Sequence, residues 1–229
     1  MSILVIGESC RDVFCYGRAD RLCPEAPAPV FNPVDYQEND GMAKNVQNNI
    51  IALGEQCDLL TNNNWREIIK TRYVHKATNQ LFLRVDEGDN KVSKIDLKFI
   101  NFDDYEIVVI SDYCKGFLSC EDIQFIASMH HCVFLDTKKD LGDWCSKISF
   151  IKINNIEYER TKAFITKEMK KKMIITLGAN GCQYQEESFP VSKVEIKDVS
   201  GAGDTFLAGL VVDYLRHGDI KKAAIFANL

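Results

Sequence analysis

The stretch DVSGAGDTFLAGL, residues 198–210, places three small residues directly before an aspartate and an apolar run. Phe206, Leu210 and Tyr214 recur at helical spacing, and Gly218 follows where such a helix would end. One interpretation is a tight turn followed by a capped helix. The other is a cup of backbone amides for an anion, with Asp204 in the first helical turn as a proton acceptor.

The stretch differs from two common phosphate-binding motifs. No Lys-Ser or Lys-Thr pair follows the glycines, as a P-loop requires. Phe206 stands where a dinucleotide fingerprint has its third glycine, and the stretch comes late in the chain instead of after the first strand. Glycines before a helix still allow an anion to approach the backbone closely, so the anion cup stays open as an interpretation.

Length and charge narrow the class of protein. The 229 residues fit one domain over residues 1–229, and 28 Lys+Arg against 33 Asp+Glu give a net charge of −5. Without a basic arm, the chain is not expected to bind nucleic acid. The start, MSILVIGES, leads straight into an apolar strand, which predicts neither a signal peptide nor a membrane span. We therefore expect a cytoplasmic protein without a membrane partner.

The chain has nine cysteines and four histidines. No two cysteines form a C-x-x-C pair, and the histidines supply no partner at metal-ligand spacing. A disulfide or metal framework is the alternative, but this pattern favours free, mostly buried thiols in a reducing cytoplasm.

Short apolar runs rich in β-branched residues recur along the chain, at residues 3–6, 107–110, 133–135, 150–153 and 173–176. Helical patterns lie between them: Ser119 and Asp122 form a capping box before one, and Gly54 ends another. Continuous apolar strands that alternate with helices predict an α/β fold with a mostly parallel central sheet flanked by helices.

Two stretches break that rhythm. Residues 18–37 contain Pro24, Pro27, Pro29 and Pro33, and residues 71–89 alternate apolar and polar side chains as a strand with one wet face does. We interpret the two stretches as one small antiparallel flap beside the main sheet. Such a flap is expected to act as a lid, a dimer surface, or both.

Two further segments lie at the carboxyl ends of predicted parallel strands, where α/β sheets bind ligands. IITLGANGCQY, residues 174–184, is a strand, a turn with glycines and another strand, and on its own is a common hairpin around Asn180-Gly181. KINNIEYE, residues 152–159, follows a strand with Asn154 and Glu157, which on their own suit a capped helix start.

GAGDTF, TLGANG and KINNIE together resemble the ribokinase-like (PfkB) carbohydrate kinases. In the N-terminal half, DVFCYGRADRLCPEAPAPVF, NVQNNIIALG, TNQLFLRVD and SDYCKGFL resemble the kinase domains that phosphorylate heptose 7-phosphate in bacterial lipopolysaccharide assembly. The resemblance covers nearly the whole chain in order. It implies a ribokinase-like sandwich with a β lid, ATP and Mg²⁺ as cofactors, a sugar or sugar phosphate as substrate, and a homodimer through the flap.

The resemblance also implies roles for matching residues. Asp204 would take the proton from the anomeric hydroxyl of the sugar, and the anion hole would be formed by Gly201, Ala202 and Gly203. The nucleotide would contact Asn154, Asn155, Ile156, Glu157, Thr176, Gly178, Gly181 and Asn228, with Glu157 also holding Mg²⁺ through water. The sugar would contact Asp12, Gly41, Lys44, Asn45 and Lys115.

The chain departs from the family in ways that keep a second function open. Met42 replaces a glycine and Lys44 a small residue in the sugar-site stretch, and the family continues through a helical segment past Asn228 that helps to close the adenine pocket. We expect a kinase half without the nucleotidyltransferase half found in many relatives. Arg11 and Lys44 either bracket a phosphorylated sugar or, as most Arg and Lys side chains do, point to solvent. The alternatives are a truncated, weakly active or regulatory sugar-phosphate-binding protein, or a kinase for another sugar.

Overall fold

The computed structural model describes residues 2–191 and 200–229, so Asp198 and Val199 of the quoted stretch lie outside the described residues. In chain order the strands are β1 Ser2–Gly7, β2 Ser9–Arg18, β3 Asn32–Met42, β4 Gln56–Leu60, β5 Ile69–His75, β6 Leu81–Glu87, β7 Ile107–Asp112, β8 Val133–Thr137, β9 Phe150–Asn154, β10 Met173–Thr176, β11 Cys182–Tyr184 and β12 Glu187–Phe189. The α-helices are α1 Ala43–Ala52, α2 Cys120–Met129, α3 Asn155–Thr161, α4 Lys167–Lys170, α5 Ala202–His217 and α6 Ile220–Ala227.

The larger sheet has the strand order β12-β11-β10-β9-β8-β7-β1-β4. Six strands of this sheet run parallel to one another: β4, β1, β7, β8, β9 and β10. Strands β11 and β12 continue the sheet beyond β10, each antiparallel to the strand before it. Helices α1, α5 and α6 contribute to one apolar cluster on this sheet, and α2 contributes to the other. This arrangement confirms the predicted α/β fold. Among the helices of the described ranges, none is both long and apolar enough to cross a membrane.

The predicted main-sheet strands all appear, as β1, β7, β8, β9 and β10. The capping box of Ser119 and Asp122 begins α2, and a second box of Asn154 and Glu157 begins α3. Helix α5 ends at Gly218, which has a φ of 67°. Strand β4 was not predicted, because its sequence QCDLL lacks both a long apolar run and clean alternation.

The smaller sheet has the strand order β3-β2-β5-β6 and includes the segments predicted as a flap. It begins earlier than predicted, at Ser9, because β2 continues almost directly from the main sheet. The prediction of a wholly antiparallel flap is wrong for one pair: β2 and β5 run parallel, and only the two outer pairs are antiparallel. We call this four-stranded sheet the flap.

The two faces of the flap differ in chemistry because successive side chains point to opposite sides of a strand. Register places Tyr36, Cys15, Tyr73 and Leu83 side by side across the four strands, which gives an apolar outer face. The opposite face carries the even-numbered residues of β2 and β5, several of them charged. That second face is the one near the helix α1 and the loop after β7.

Candidate active site

Asp204 lies in the first turn of α5 and is 5% exposed. Asn45 donates a hydrogen bond from Nδ2 to its Oδ2 at 2.9 Å, and Tyr113 donates one from its hydroxyl to Oδ1 at 2.6 Å. Burial raises the pKa of Asp204, while the hydrogen bonds from Asn45 and Tyr113 act in the opposite direction. The side chain is thus a buried carboxylate held by one donor on each oxygen, with a raised affinity for a proton.

The start of α5 lines a cavity of about 460 Å³ with Gly201, Ala202 and Gly203. Gly201 has a φ of 77°, and a Cβ added there would lie 2.9 Å from Asn45 Nδ2. A Cβ added at Gly203 would lie 3.0 Å from Lys152 Nζ. Side chains at these positions would crowd groups beside Asp204. The first amides of α5 have no partner within the helix, and the helix dipole is positive at this end, so an anion is favoured here.

Charged residues that the sequence analysis missed form the floor of this cavity. Lys152, from β9, lies 2.7 Å from Asp136 of β8, and both side chains are almost fully buried. Lys138 binds Glu157 at 2.5 Å and lies 3.9 Å from Asp136. The sequence did contain a sign of these residues. The stretches FLDT and FIKIN each place a charged residue in an otherwise apolar strand, close to its carboxyl end.

Five of the residues expected at the nucleotide line the same cavity: Asn154, Thr176, Gly178, Gly181 and Asn228. The other three do not: Asn155 lines a separate groove of about 970 Å³, Ile156 is 79% exposed, and Glu157 is buried beside Lys138. The capping box explains this split, because it turns Asn154 and Glu157 towards the end of β9 while the residues between them point outward.

The residues present fit a magnesium ion that is shared with a nucleotide. Glu157 is buried beside Lys138, and Asp136 keeps its oxygen Oδ1 buried without a hydrogen-bond partner. Within residues 2–191 and 200–229, no three His, Cys, Asp or Glu residues stand close enough to hold a metal on their own. Mg²⁺ in kinase sites takes one or two carboxylates, phosphate oxygens and water, so this sparse carboxylate set suits it.

The residues expected at the sugar form a second group on the other side of Asp204. Gly41 of β3 lies opposite Cys10 of β2, and a Cβ at Gly41 would lie 2.7 Å from Asp12 Oδ2, so the Asp12 side chain lies over Gly41. Arg72 of β5 binds Asp12 at 2.7 Å. Asn45 connects this group to the start of α5 through its hydrogen bond to Asp204.

The expected pair of cations is not assembled as predicted. Arg11 lies on the face of β2 opposite Asp12 and binds Glu38 at 2.6 Å, because neighbouring residues of a strand point to opposite sides. Lys44 lies 3.7 Å from Asp40 and 5.5 Å from the centre of the Trp65 ring. The expectation that Arg11 and Lys44 bracket a sugar phosphate is therefore wrong for Arg11.

The cations on the Asp12 face of the flap are others. Lys70, 3% exposed in its side chain, contacts Asp86 and Asp89. Lys115, in the loop after β7, binds Asp89 at 2.7 Å. With Arg72 and Arg84, these residues give the inner face a dense set of paired charges.

The loop of residues 113–117 follows β7 and is held from below by Glu8. This carboxylate is 1% exposed and accepts hydrogen bonds from the backbone amides of Tyr113 at 2.8 Å, Lys115 at 2.9 Å and Phe117 at 3.4 Å. Burial, and then the neighbouring Asp112, raise the pKa of Glu8. The loop that carries Tyr113 to Asp204 is thus fixed by a buried acid.

Comparisons with known proteins find similar sequences among carbohydrate kinases. Residues 137–229 match the model of the pfkB family carbohydrate kinases. The chain is 32% identical to the bifunctional protein HldE of Nitratiruptor sp. over 281 positions, which cover 99% of the chain and 60% of that protein. It is 31% identical to HldE of Helicobacter pylori strain Shi470, with 99% and 61% covered. The chain thus spans about 60% of the length of these relatives.

Solved structures share the fold at low sequence identity. Ribokinase from Thermotoga maritima superposes with a TM-score of 0.74 at 15% identity and covers 99% of this chain and 90% of its own. A nucleoside kinase of the ribokinase family from Methanocaldococcus jannaschii superposes with a TM-score of 0.70 at 16% identity, with 99% and 89% covered. The chain has the ribokinase fold, and its residues 137–229 match the pfkB family of carbohydrate kinases.

Proposed function

We propose that this chain is an ATP-dependent sugar kinase that transfers the γ-phosphoryl group of ATP to a sugar hydroxyl. The observation that carries the proposal is Asp204, a buried carboxylate at the start of α5, which lines a cavity together with glycines and accepts a hydrogen bond from Asn45. Its raised pKa makes it a better proton acceptor than a solvated aspartate. A turn with a purely structural role would require neither the burial nor the two donors.

In the proposed reaction, Asp204 accepts the proton of the sugar hydroxyl as the oxygen attacks the γ-phosphorus. The bond between that phosphorus and the bridging oxygen of ADP breaks, and ADP leaves with the electron pair. The amides of residues 201–203 and the ammonium of Lys152 would stabilise the negative charge that spreads over the transferred group. Phosphoryl transfer depends mainly on such positioning and charge stabilisation, so these groups supply most of what the reaction needs.

The nucleotide is proposed to lie along Thr176, Gly178, Gly181 and Asn228, with its phosphates towards Lys152. Mg²⁺ would be held by phosphate oxygens and, through water, by Glu157. When bound, it would neutralise charge on the β- and γ-phosphates. Lys138 would have to exchange part of its contact with Glu157 for phosphate oxygens, which is feasible because its side chain is 35% exposed.

The acceptor is proposed to be a sugar that already carries a phosphate, of the heptose 7-phosphate class. Asp12, Gly41 and Asn45 would bind its hydroxyls, and the inner face of the flap would bind its phosphate. Arg84 is the best placed cation for this, because its side chain is 45% exposed and faces the same side of the sheet as Asp12. Guanidinium groups bind phosphate oxygens in pairs, so one arginine there favours a phosphorylated acceptor.

Two arginine variants, one as the test and one as the control, examine the assignment of a phosphorylated acceptor. Steady-state assays should compare heptose 7-phosphate with unphosphorylated sugars for the wild type, Arg84→Ala and Arg11→Ala. One lost charge-assisted hydrogen bond costs about 1.5–3 kcal/mol, so Arg84→Ala should lower kcat/KM for the phosphorylated sugar by about 10- to 100-fold. Arg11→Ala is the matched control, since it removes an arginine–carboxylate pair from the other face of the flap.

The outcomes separate the candidate functions. Equal use of free and phosphorylated sugars by the wild type would refute the sugar-phosphate assignment and leave a kinase for another sugar. Binding of a sugar phosphate without any ATP turnover would instead support a binding or regulatory protein.

The flap is also proposed to form a homodimer through its outer face. Val34, Tyr36 and Leu83 are each more than half exposed there, and the register of the sheet places Tyr36 and Leu83 in one row. A twofold axis would allow the same face of a second copy to cover this row.

The use of ATP and the nine free thiols suit the cytoplasm.

A further inference from the structure

Tyr113 contacts the base directly and is itself held from several sides. Its hydroxyl donates to Asp204 Oδ1 at 2.6 Å, and its backbone amide donates to Glu8 Oε2 at 2.8 Å. The ring packs on the apolar cluster that contains Met42, and Lys138 Nζ lies 5.6 Å from the ring centre on the cavity side. These contacts leave the hydroxyl little freedom to move away from Asp204.

We propose that Tyr113 is a positioning residue, whose hydroxyl fixes one oxygen of Asp204 and thereby sets the pH range in which the base works. The proposal rests on the proposed function, since it assigns Asp204 as the base. A carboxylate oxygen accepts more than one hydrogen bond, so each oxygen of Asp204 still has a site for the sugar hydroxyl. Tyr113 therefore does not need to leave during the reaction.

The pKa of Asp204 depends on burial, on the charged groups around it and on its two hydrogen-bond donors. Asp136 faces it from β8 and raises its pKa, whereas Lys152 from β9 lowers it; Lys138 also interacts with it. Asn45 donates to the other oxygen from α1. Burial has the largest effect and favours the protonated acid, so the donated hydrogen bond from Tyr113 opposes the protonation that would inactivate the base. The phenol stays a donor, because burial and Asp204 raise its pKa well above the usual value.

The test is the pH profile of kcat/KM for Tyr113→Phe. Removal of the donor raises the pKa of Asp204, so the acid limb should move to higher pH. On that limb we expect kcat/KM to fall by about tenfold or more, because a hydrogen bond to a charged group is lost. At alkaline pH the fall in kcat/KM should be clearly smaller. Tyr105→Phe is the matched control, because the Tyr105 hydroxyl donates to Asp58 at 3.0 Å on the surface. An equal loss at every pH would indicate a purely structural role and overturn the proposal.

A second measurement does not depend on turnover. The carboxyl carbon of Asp204, labelled with ¹³C and assigned with Asp204→Asn, can be titrated by NMR in the wild type and in both phenylalanine variants. A titration that moves to higher pH in Tyr113→Phe alone supports the proposal, and an unchanged titration overturns it. If the wild type titrates as expected but transfers no phosphoryl group to any sugar, the proposed function fails while the contact between Tyr113 and Asp204 is confirmed.

Discussion

At position 42, we expect Met42→Gly to destabilise the protein less than Met42→Ala does. At most positions glycine is the more destabilising of the two residues. It precedes α1 with φ 62° and ψ −134°, a backbone region that favours glycine. Its side chain is 7% exposed and packs with Cys10 and Ile68. The side chain thus gains stability from burial at a site where the backbone is strained.

The costs of backbone strain, lost packing and chain entropy decide which of the two variants is more stable. Strain of this kind costs about 1–3 kcal/mol, and truncation of a buried methionine to alanine costs about 2–5 kcal/mol. Met42→Ala loses the packing and keeps the strain. Met42→Gly loses the packing but releases the strain, at a cost of about 0.4–1 kcal/mol from the greater freedom of the unfolded chain. We expect the glycine variant to be more stable than the alanine variant by about 1 kcal/mol.

Urea unfolding of the two variants in one buffer measures this difference. With an m-value of about 2 kcal/mol/M, 1 kcal/mol separates the midpoints by about 0.5 M. Ala43→Gly is the control one residue later, where α1 has begun, and there glycine should cost about 0.5–1 kcal/mol. An alanine variant at position 42 that equals or exceeds the glycine variant in stability would refute the strain at Met42.

Three further predictions follow from the site and the flap. Asp204→Asn should lower kcat by about 10²–10⁴-fold with little change in ATP affinity, and a variant with half the wild-type turnover would exclude Asp204 as the base. Gly203→Val should push against Lys152 and lower kcat by about 10²–10³-fold; full activity in a folded variant would favour a plain turn. The protein should sediment as a dimer at micromolar concentration and Tyr36→Asp as a monomer, so a wild-type monomer would count against the flap interface.

Much of the main sheet could be predicted, because its strands are apolar and its helices carry their own boundaries. Ser119 with Asp122 and Asn154 with Glu157 are local pairs that satisfy the first amides of α2 and α3, so they can be read without knowledge of the fold. The flap was harder. Its strand pairing is not local, since β2 pairs in parallel with β5 across more than 50 residues of chain, and periodicity does not reveal such a partner.

The site was predicted where residues are contiguous and missed where strands bring them together. The residues of the GAGD stretch are neighbours in sequence, and Asp204 indeed lies in the first turn of α5. Lys152 and Asp136 are neighbours only because β8 and β9 pair in the sheet, with Asp136 opposite Lys152 in the register. The error on Arg11 has the same origin: its distance from Asp12 in sequence is one residue, but strand geometry places the two on opposite faces.

Contacts connect the sugar side of the site to the base without passing through the cavity. Lys70 on the flap contacts Asp89, and Asp89 binds Lys115 in the loop of residues 113–117. Glu8 holds the amides of that loop, and the loop carries the Tyr113 hydroxyl to Asp204. A sugar phosphate that draws Arg84 away from Asp86 would alter the pairing of Lys70, which contacts both Asp86 and Asp89. Arg84, which would recognise the phosphate, is therefore connected through Asp86, Lys70, Asp89 and Lys115 to the loop that carries Tyr113, the residue that would hold the base.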